Sequence, residues 1–84
     1  MNAEFVAMLR PFLKYADHQE ITERSRLRDL GLDSMREIEL LFAVEDTFGV
    51  TIPDERLVDA TFETGGNLWA VVEALLAAGH GGRS

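Results

Sequence analysis

The sequence predicts an all-α fold: a four-helix bundle of three main helices and one short helix, with a long loop between the first two. Three observations predict it. Apolar residues recur at helical spacing in three separate stretches, no stretch alternates with the period of two that a half-buried strand needs, and capping residues stand where the periodic stretches begin and end. With 84 residues, of which 46% are hydrophobic, the chain can build one core and has no room for a second.

The elements follow in order. Phe5, Met8, Leu9, Phe12 and Leu13 lie at i, i+3, i+4, i+7 and i+8, the stripe of an amphipathic helix, with Asn2 as its N-cap. Pro11 opposes that helix at a cost of about 3 kcal/mol, but the stripe runs past it, so a kink is expected and not a stop. Residues 17–33 keep no period. Ile21, Leu27, Leu30 and Leu32 are single anchors pinning a long loop to the core, and Ser25 is placed to cap one helical turn through Arg28. Arg24, Arg26 and Arg28 are read as solvated charges or partners of nearby acids.

From Ser34 to Phe48 the helical period returns. Leu40, Val44 and Phe48, with Leu41, form a core stripe, Met35, Ile38 and Phe42 form a second one, and Gly49 is the C-terminal stop. Val50 to Asp54 is extended with Ile52 inward. Pro53, Asp54 and Glu55 then open a short helix carrying Leu57 and Val58, and Phe62 is a buried plug. Thr64 caps the last helix, in which Leu68, Val71, Val72 and Leu75 face the core; Gly65 and Gly66 are weak helix formers tolerated in its first turn. That helix ends near Ala78 and Gly79, which gives a folded domain over 1–79 and a flexible tail over 80–84.

Composition narrows the function. The chain has no cysteine, no apolar run near the ~20 residues of a membrane span, and no basic-then-apolar leader, so a soluble cytoplasmic protein is expected. Its opening Met1 suggests a free-standing protein. The net charge is −7, and the segment from Asp33 to Glu63 holds all of it, with nine acids against Arg36 and Arg56. Such a surface repels nucleic acid and anionic membranes and steers basic protein partners toward itself.

Catalysis finds no support. His18 and His80 have no ligand-spaced partner, the acids do not follow the spacing of a calcium loop, and there is neither a glycine-rich phosphate cradle nor a serine in a Gly-x-Ser-x-Gly turn. The pairs Glu37/Glu39 and Glu45/Asp46 sit on an open helix face, where nothing desolvates a carboxyl to tune it for acid–base work. The chain reads as a substrate of other enzymes.

Ser34 is the residue on which function turns, and it has two readings. Ser34-Met35-Arg36-Glu37 fits a capping box in which the hydroxyl only satisfies helix N–H groups. Alternatively Asp33 is the cap, which puts Ser34 in the first helical position with a free hydroxyl at the positive end of the helix. The frame around it, Asp29-Leu30-Gly31-Leu32-Asp33-Ser34-Met35 with Phe48-Gly49-Val50-Thr51-Ile52-Pro53-Asp54-Glu55 downstream, resembles the acyl and peptidyl carrier proteins from about Glu4 to Leu76.

The resemblance implies a carrier-protein-like bundle in which Ser34, flanked by Asp33, bears 4′-phosphopantetheine transferred from coenzyme A by a phosphopantetheinyl transferase with Mg²⁺. The arm would hold an acyl or aminoacyl group as a thioester. The resemblance also implies a loading enzyme (an acyltransferase or an adenylating ligase) and downstream synthase or transferase enzymes. These would dock on Met35, Ile38 and Phe42 through apolar contact and on Asp33, Glu39, Glu45, Asp46 and Asp54 through charge. No nucleic acid, membrane or metal is implied, and a monomer is expected. Arg36 stands where fatty-acid carriers often have an acid. Thr64-Gly65-Gly66-Asn67-Leu68-Trp69 is more similar to aminoacyl carriers and to stand-alone carriers of polyketide or nonribosomal-peptide metabolism. The competing expectation is an unmodified acidic helical adaptor acting only through protein–protein contacts.

Overall fold

The computed structural model describes residues 2–16 and 19–78. His18, Gly79 and the expected tail over 80–84 lie outside the described residues. Among the described residues there are three α-helices, α1 (Ala3–Leu9), α2 (Ser34–Phe48) and α3 (Gly65–Ala77), with 3-10 turns at Arg10–Phe12, Asp54–Arg56 and Asp59–Phe62. Among the described residues, the only β-type pairing is a single bridge between Arg26 and Thr64.

The helix ends follow the residues that cap them. Asn2 Oδ1 accepts from the Phe5 N–H at 3.0 Å and Thr64 Oγ1 from the Asn67 N–H at 3.1 Å. Gly49 closes α2 in the left-handed region, at φ 65°. Pro11 does more than kink α1. The α-helix stops at Leu9, the chain tightens into the Arg10–Phe12 turn, and Leu13 is already extended though still buried. Without a proline N–H, and with its ring set against the Ala7 carbonyl, the i→i−4 ladder has nothing to continue on.

The loop between α1 and α2 is held at several points. Ile21, Leu27, Leu30 and Leu32 are all buried, as the sequence predicts. The Arg10 guanidinium donates to the carbonyls of Ala16 at 2.8 Å and Gln19 at 3.2 Å, strapping the loop's first half to the end of α1. Ser25 does not cap a turn through Arg28. Its Oγ accepts from the Thr22 N–H at 2.8 Å and so closes the preceding turn, while residues 27–31 form turns built on backbone bonds alone. The loop is also zipped to the start of α3: Gly65 N–H donates to Ser25 O at 3.1 Å, Gly66 N–H to Glu23 O at 2.9 Å, and Leu27 N–H to Glu63 O at 3.1 Å. The approach is so close that a Cβ on Gly66 would lie 2.7 Å from the Glu23 carbonyl oxygen.

The core lies where the three helices meet. Phe5 and Leu9 of α1, Leu40 and Val44 of α2, and Leu68 and Val72 of α3 are each 0% exposed. One end is closed by three mutually tilted rings, with centroids 5.1 Å apart for Phe5 and Trp69, 5.6 Å for Phe48 and Trp69, and 6.2 Å for Phe5 and Phe48. Ile52 and Phe62 are buried, as expected. The short helix expected to carry Leu57 and Val58 is replaced by two 3-10 turns with those residues between them, exposed and outside helical conformation. Side chains hold that path: Thr61 Oγ1 donates to Arg56 O at 2.6 Å, and Asn67 Nδ2 donates to Ala60 O at 2.8 Å. These bonds satisfy carbonyls that a continuous helix would have paired internally.

Candidate functional site: the Ser34 edge of the second helix

Asp33 is the cap of α2. Its backbone is extended, and its Oδ1 accepts from the Arg36 N–H at 2.8 Å. Of the two readings of Ser34, this leaves the second. Ser34 is the first residue of α2, exposed, and its hydroxyl makes no hydrogen bond among the described residues. The N–H groups of Ser34 and Met35 precede the first intrahelical bond, which runs from Glu37 N–H to Asp33 O at 2.9 Å. An exposed hydroxyl thus stands beside amide donors that the helix itself does not use.

The segment leading to Ser34 is held firmly. Leu30, Gly31 and Leu32 are buried, and Tyr15 N–H donates to Leu30 O at 2.9 Å. Gly31 sits at φ 107°, and a Cβ there would meet the Lys14 backbone nitrogen at 2.6 Å, so only glycine allows this crossing. Lys14 Nζ lies 3.6 Å from Asp33 Oδ2. The Asp33 carboxyl is held below its ordinary value of 3.8, chiefly by the hydrogen bond from the Arg36 N–H; desolvation opposes this, and Lys14 and the Arg36 charge add smaller lowering effects. Arg28 reaches Glu37 at 3.7 Å, and Arg26 reaches Glu63 at 3.4 Å and Asp29 at 3.9 Å. The sequence allows Arg28 a nearby acidic partner without identifying Glu37 and gives no signal for the Lys14–Asp33 pair, because both are made by the path of the loop and not by helical spacing.

Beyond Ser34, the second apolar stripe faces water. Met35 is 80% exposed, Ile38 59% and Phe42 62%, and the exposed Glu39 and Asp46 lie on the same face of α2. Asp54 is exposed but belongs to the following 3-10 turn, off this face. Glu45 is half-buried, and its Oε2 accepts from the Ile52 N–H at 2.9 Å, tying the extended segment back to α2. Its charge therefore has an internal task that spacing did not reveal. The exposed Leu57 and Val58 add a second apolar area. No group of three potential metal ligands occurs among the described residues. No described helix is long and apolar enough to cross a membrane.

A family described as "Phosphopantetheine attachment site" matches residues 3–64, about three-quarters of the chain and the whole of this edge. The chain belongs to the phosphopantetheine-binding carrier proteins. The cofactor of such a carrier is covalently attached 4′-phosphopantetheine. The geometry fits that group: a phosphodiester needs an exposed hydroxyl and is favoured by free amide donors at a helix N-terminus.

The fold of this carrier is also that of known structures. A crystal structure of a Bradyrhizobium japonicum glycine:carrier protein ligase, complexed with its cognate carrier protein and an analogue of glycyl adenylate, contains a chain with 25% identity and a TM-score of 0.69. That alignment covers 84% of this chain and 94% of the other. A chain in the structure of the same organism's ligase with glycylated carrier protein matches at 22% identity and a TM-score of 0.66, over 83% of this chain and 99% of the other, which bears on the fold alone.

Proposed function

We propose that Ser34 is the residue to which phosphopantetheine is attached, and that the protein carries an acyl or aminoacyl group for partner enzymes while performing no chemistry itself. The observation that carries this reading is the free, exposed Ser34 hydroxyl at the first position of α2, with Asp33 as the cap beside it. In the attachment step the Ser34 oxygen forms a bond to the pantetheine-side phosphorus of coenzyme A. The pyrophosphate bond breaks, adenosine 3′,5′-bisphosphate leaves, and the hydroxyl proton passes to the phosphopantetheinyl transferase. Once attached, the group supplies a thiol that holds the cargo as a thioester. The chain's own part is to present the oxygen, to keep amide N–H groups free for the phosphate, and to fix the preceding loop through Gly31 and Leu32.

The likeness to a carrier seen with its glycine ligase favours an aminoacyl cargo and an adenylating ligase as the loading enzyme. Downstream synthase or transferase enzymes then read the α2 face of Met35, Ile38, Glu39, Phe42 and Asp46, with Asp33, Glu45 and Asp54 adding charge around it. Polyketide or nonribosomal-peptide-type metabolism in the cytoplasm is the setting that suits such a carrier. The test is to incubate the apo protein with coenzyme A, Mg²⁺ and a broad-specificity phosphopantetheinyl transferase and to weigh it intact. A gain of one phosphopantetheine in the wild type, absent from Ser34→Ala, is expected. No gain with several competent transferases would leave the unmodified adaptor as the better reading.

A further inference from the structure

We propose that Arg28 is the residue that positions the phosphate of the attached arm, holding it from the loop side of Ser34 while Glu37 steers the guanidinium. This rests on the carrier reading of Ser34. Attachment places a phosphodiester and its negative charge on a helix start that already carries Asp33 and Glu37. Residues three apart on a helix are neighbours, with Cβ atoms about 5–6 Å apart, so Glu37 is the acid beside Ser34 on the surface of α2. Two anions so placed repel each other unless a cation lies with them. Arg28 is that cation, with Nη2 3.7 Å from Glu37 Oε2. The pair is longer than a hydrogen bond, so Glu37 leaves unspent the planar fork of donors that suits a phosphate. The root of the side chain is fixed although its end is exposed. Leu27 beside it is 0% exposed and donates its N–H to Glu63 O at 3.1 Å, and Arg28 O accepts from Gly31 N–H at 3.1 Å. Arg28 thus hangs from the same tied turn that delivers Ser34, and only its side chain is left to order.

The other cations near this edge are placed less well. Arg36 is two residues beyond Ser34, about 200° around the helix, and so stands on the opposite side of α2. Arg26 is shared between Glu63 at 3.4 Å and Asp29 at 3.9 Å. Lys14 faces Asp33 at 3.6 Å, and its compact ammonium lacks the fork. Placement by Arg28 also sets a direction. At about 100° per residue, Glu37 falls on one flank of Ser34, and the exposed Met35, Ile38 and Phe42 fall on the other. A phosphate drawn to Arg28 leaves that apolar stripe uncovered for a partner.

The experiment compares apo and holo forms of the full chain as wild type, Arg28→Gln and Lys14→Gln, each confirmed by intact mass. Three quantities are read at low salt: the thermal midpoint, the phosphorus resonance of the holo form, and the Arg28 Nε–H resonance. Attachment is expected to raise the wild-type midpoint more than that of Arg28→Gln, to give the two holo forms different phosphorus resonances, and to shift the wild-type Nε–H signal. Lys14→Gln removes the same charge from the other neighbour of Ser34 and should move apo and holo midpoints together, keeping the wild-type rise. An equal rise in wild type and Arg28→Gln would overturn the proposal, and so would a rise lost equally in both variants, which is the mark of charge alone. If Arg28→Gln accepts no arm, the wild-type Nε–H signal decides: one that does not move on attachment refutes the role of Arg28. Failure of the wild type to gain any mass would instead bring down the carrier reading, and this proposal with it.

Discussion

The starts of α2 and α3 are built from the same local device and used in opposite ways. Each has an extended cap residue, Asp33 or Thr64, whose side-chain oxygen accepts the N–H three residues on. At α3 the next N–H groups are consumed by the chain: Gly65 and Gly66 donate to Ser25 and Glu23, and the loop lies so close that neither a side chain nor a ligand could enter. At α2 the corresponding donors of Ser34 and Met35 face outward beside a free hydroxyl. A helix start can thus serve as a structural clasp or as a place of attachment, and tertiary packing on the first-turn N–H groups decides which. The cap residue does not.

Substitutions can break this contrast. The largest effect belongs to Ser34→Ala, which should abolish the mass gain while changing stability by no more than ~0.5 kcal/mol, since the residue is exposed and its hydroxyl unbonded. Intact mass and a urea melt read the two halves of that prediction. Gly66→Ala should behave inversely. An added methyl in an exposed helix is ordinarily favourable, but here it meets a carbonyl oxygen at 2.7 Å, so a destabilisation of about 1–3 kcal/mol is expected with attachment still possible. A Gly66→Ala protein as stable as wild type would show that the clasp is loose.

Smaller effects separate the caps. Asp33→Ala and Thr64→Ala should each destabilise the fold by removing a cap, but only the first penalty should depend on pH. The folded Asp33 carboxyl titrates below its ordinary 3.8, so its stabilisation is full above that value and is lost as pH falls through the lowered folded value. Melts at neutral and strongly acid pH should therefore find the Asp33→Ala penalty shrinking in acid and the Thr64→Ala penalty constant. A constant Asp33 penalty would refute the carboxylate as the source of the cap's strength. The smallest change in stability is expected for Glu39→Lys, which should slow transfer to a partner enzyme at low salt, less so at high salt, and leave helicity intact. Glu45→Ala serves as its contrast. That change should cost about 1–3 kcal/mol because it deprives the half-buried Ile52 N–H of a charged acceptor, so its effect on transfer cannot be read as docking alone.

What the sequence disclosed and what it withheld divide along the same line. Asn2, Gly49 and Thr64 were legible because capping acts over three or four residues, and so was the inward stripe of Leu40 and Val44. The exposure of Met35, Ile38 and Phe42 was only half legible: periodicity showed two stripes on one helix but not which faced water. The role of Glu45 toward Ile52, the crossing of Gly31 over Lys14 and the closeness of Gly66 to Glu23 were not legible. Each depends on where a distant stretch of chain is laid, and no local propensity encodes that. The two 3-10 turns around Leu57, where the sequence predicts one short helix, differ for a related reason. Asn67, on α3, holds a carbonyl that would otherwise belong to a helix.

The ring cluster has a practical consequence. Trp69 is the only tryptophan in the sequence, and the rings it touches come from α1 and from the end of α2. One indole therefore samples the mutual seating of all three helices, far along the bundle from Ser34. Its emission is a built-in, label-free gauge of bundle closure. It should stay fixed when the arm is attached and move to longer wavelength only when α1 or α2 separates from α3.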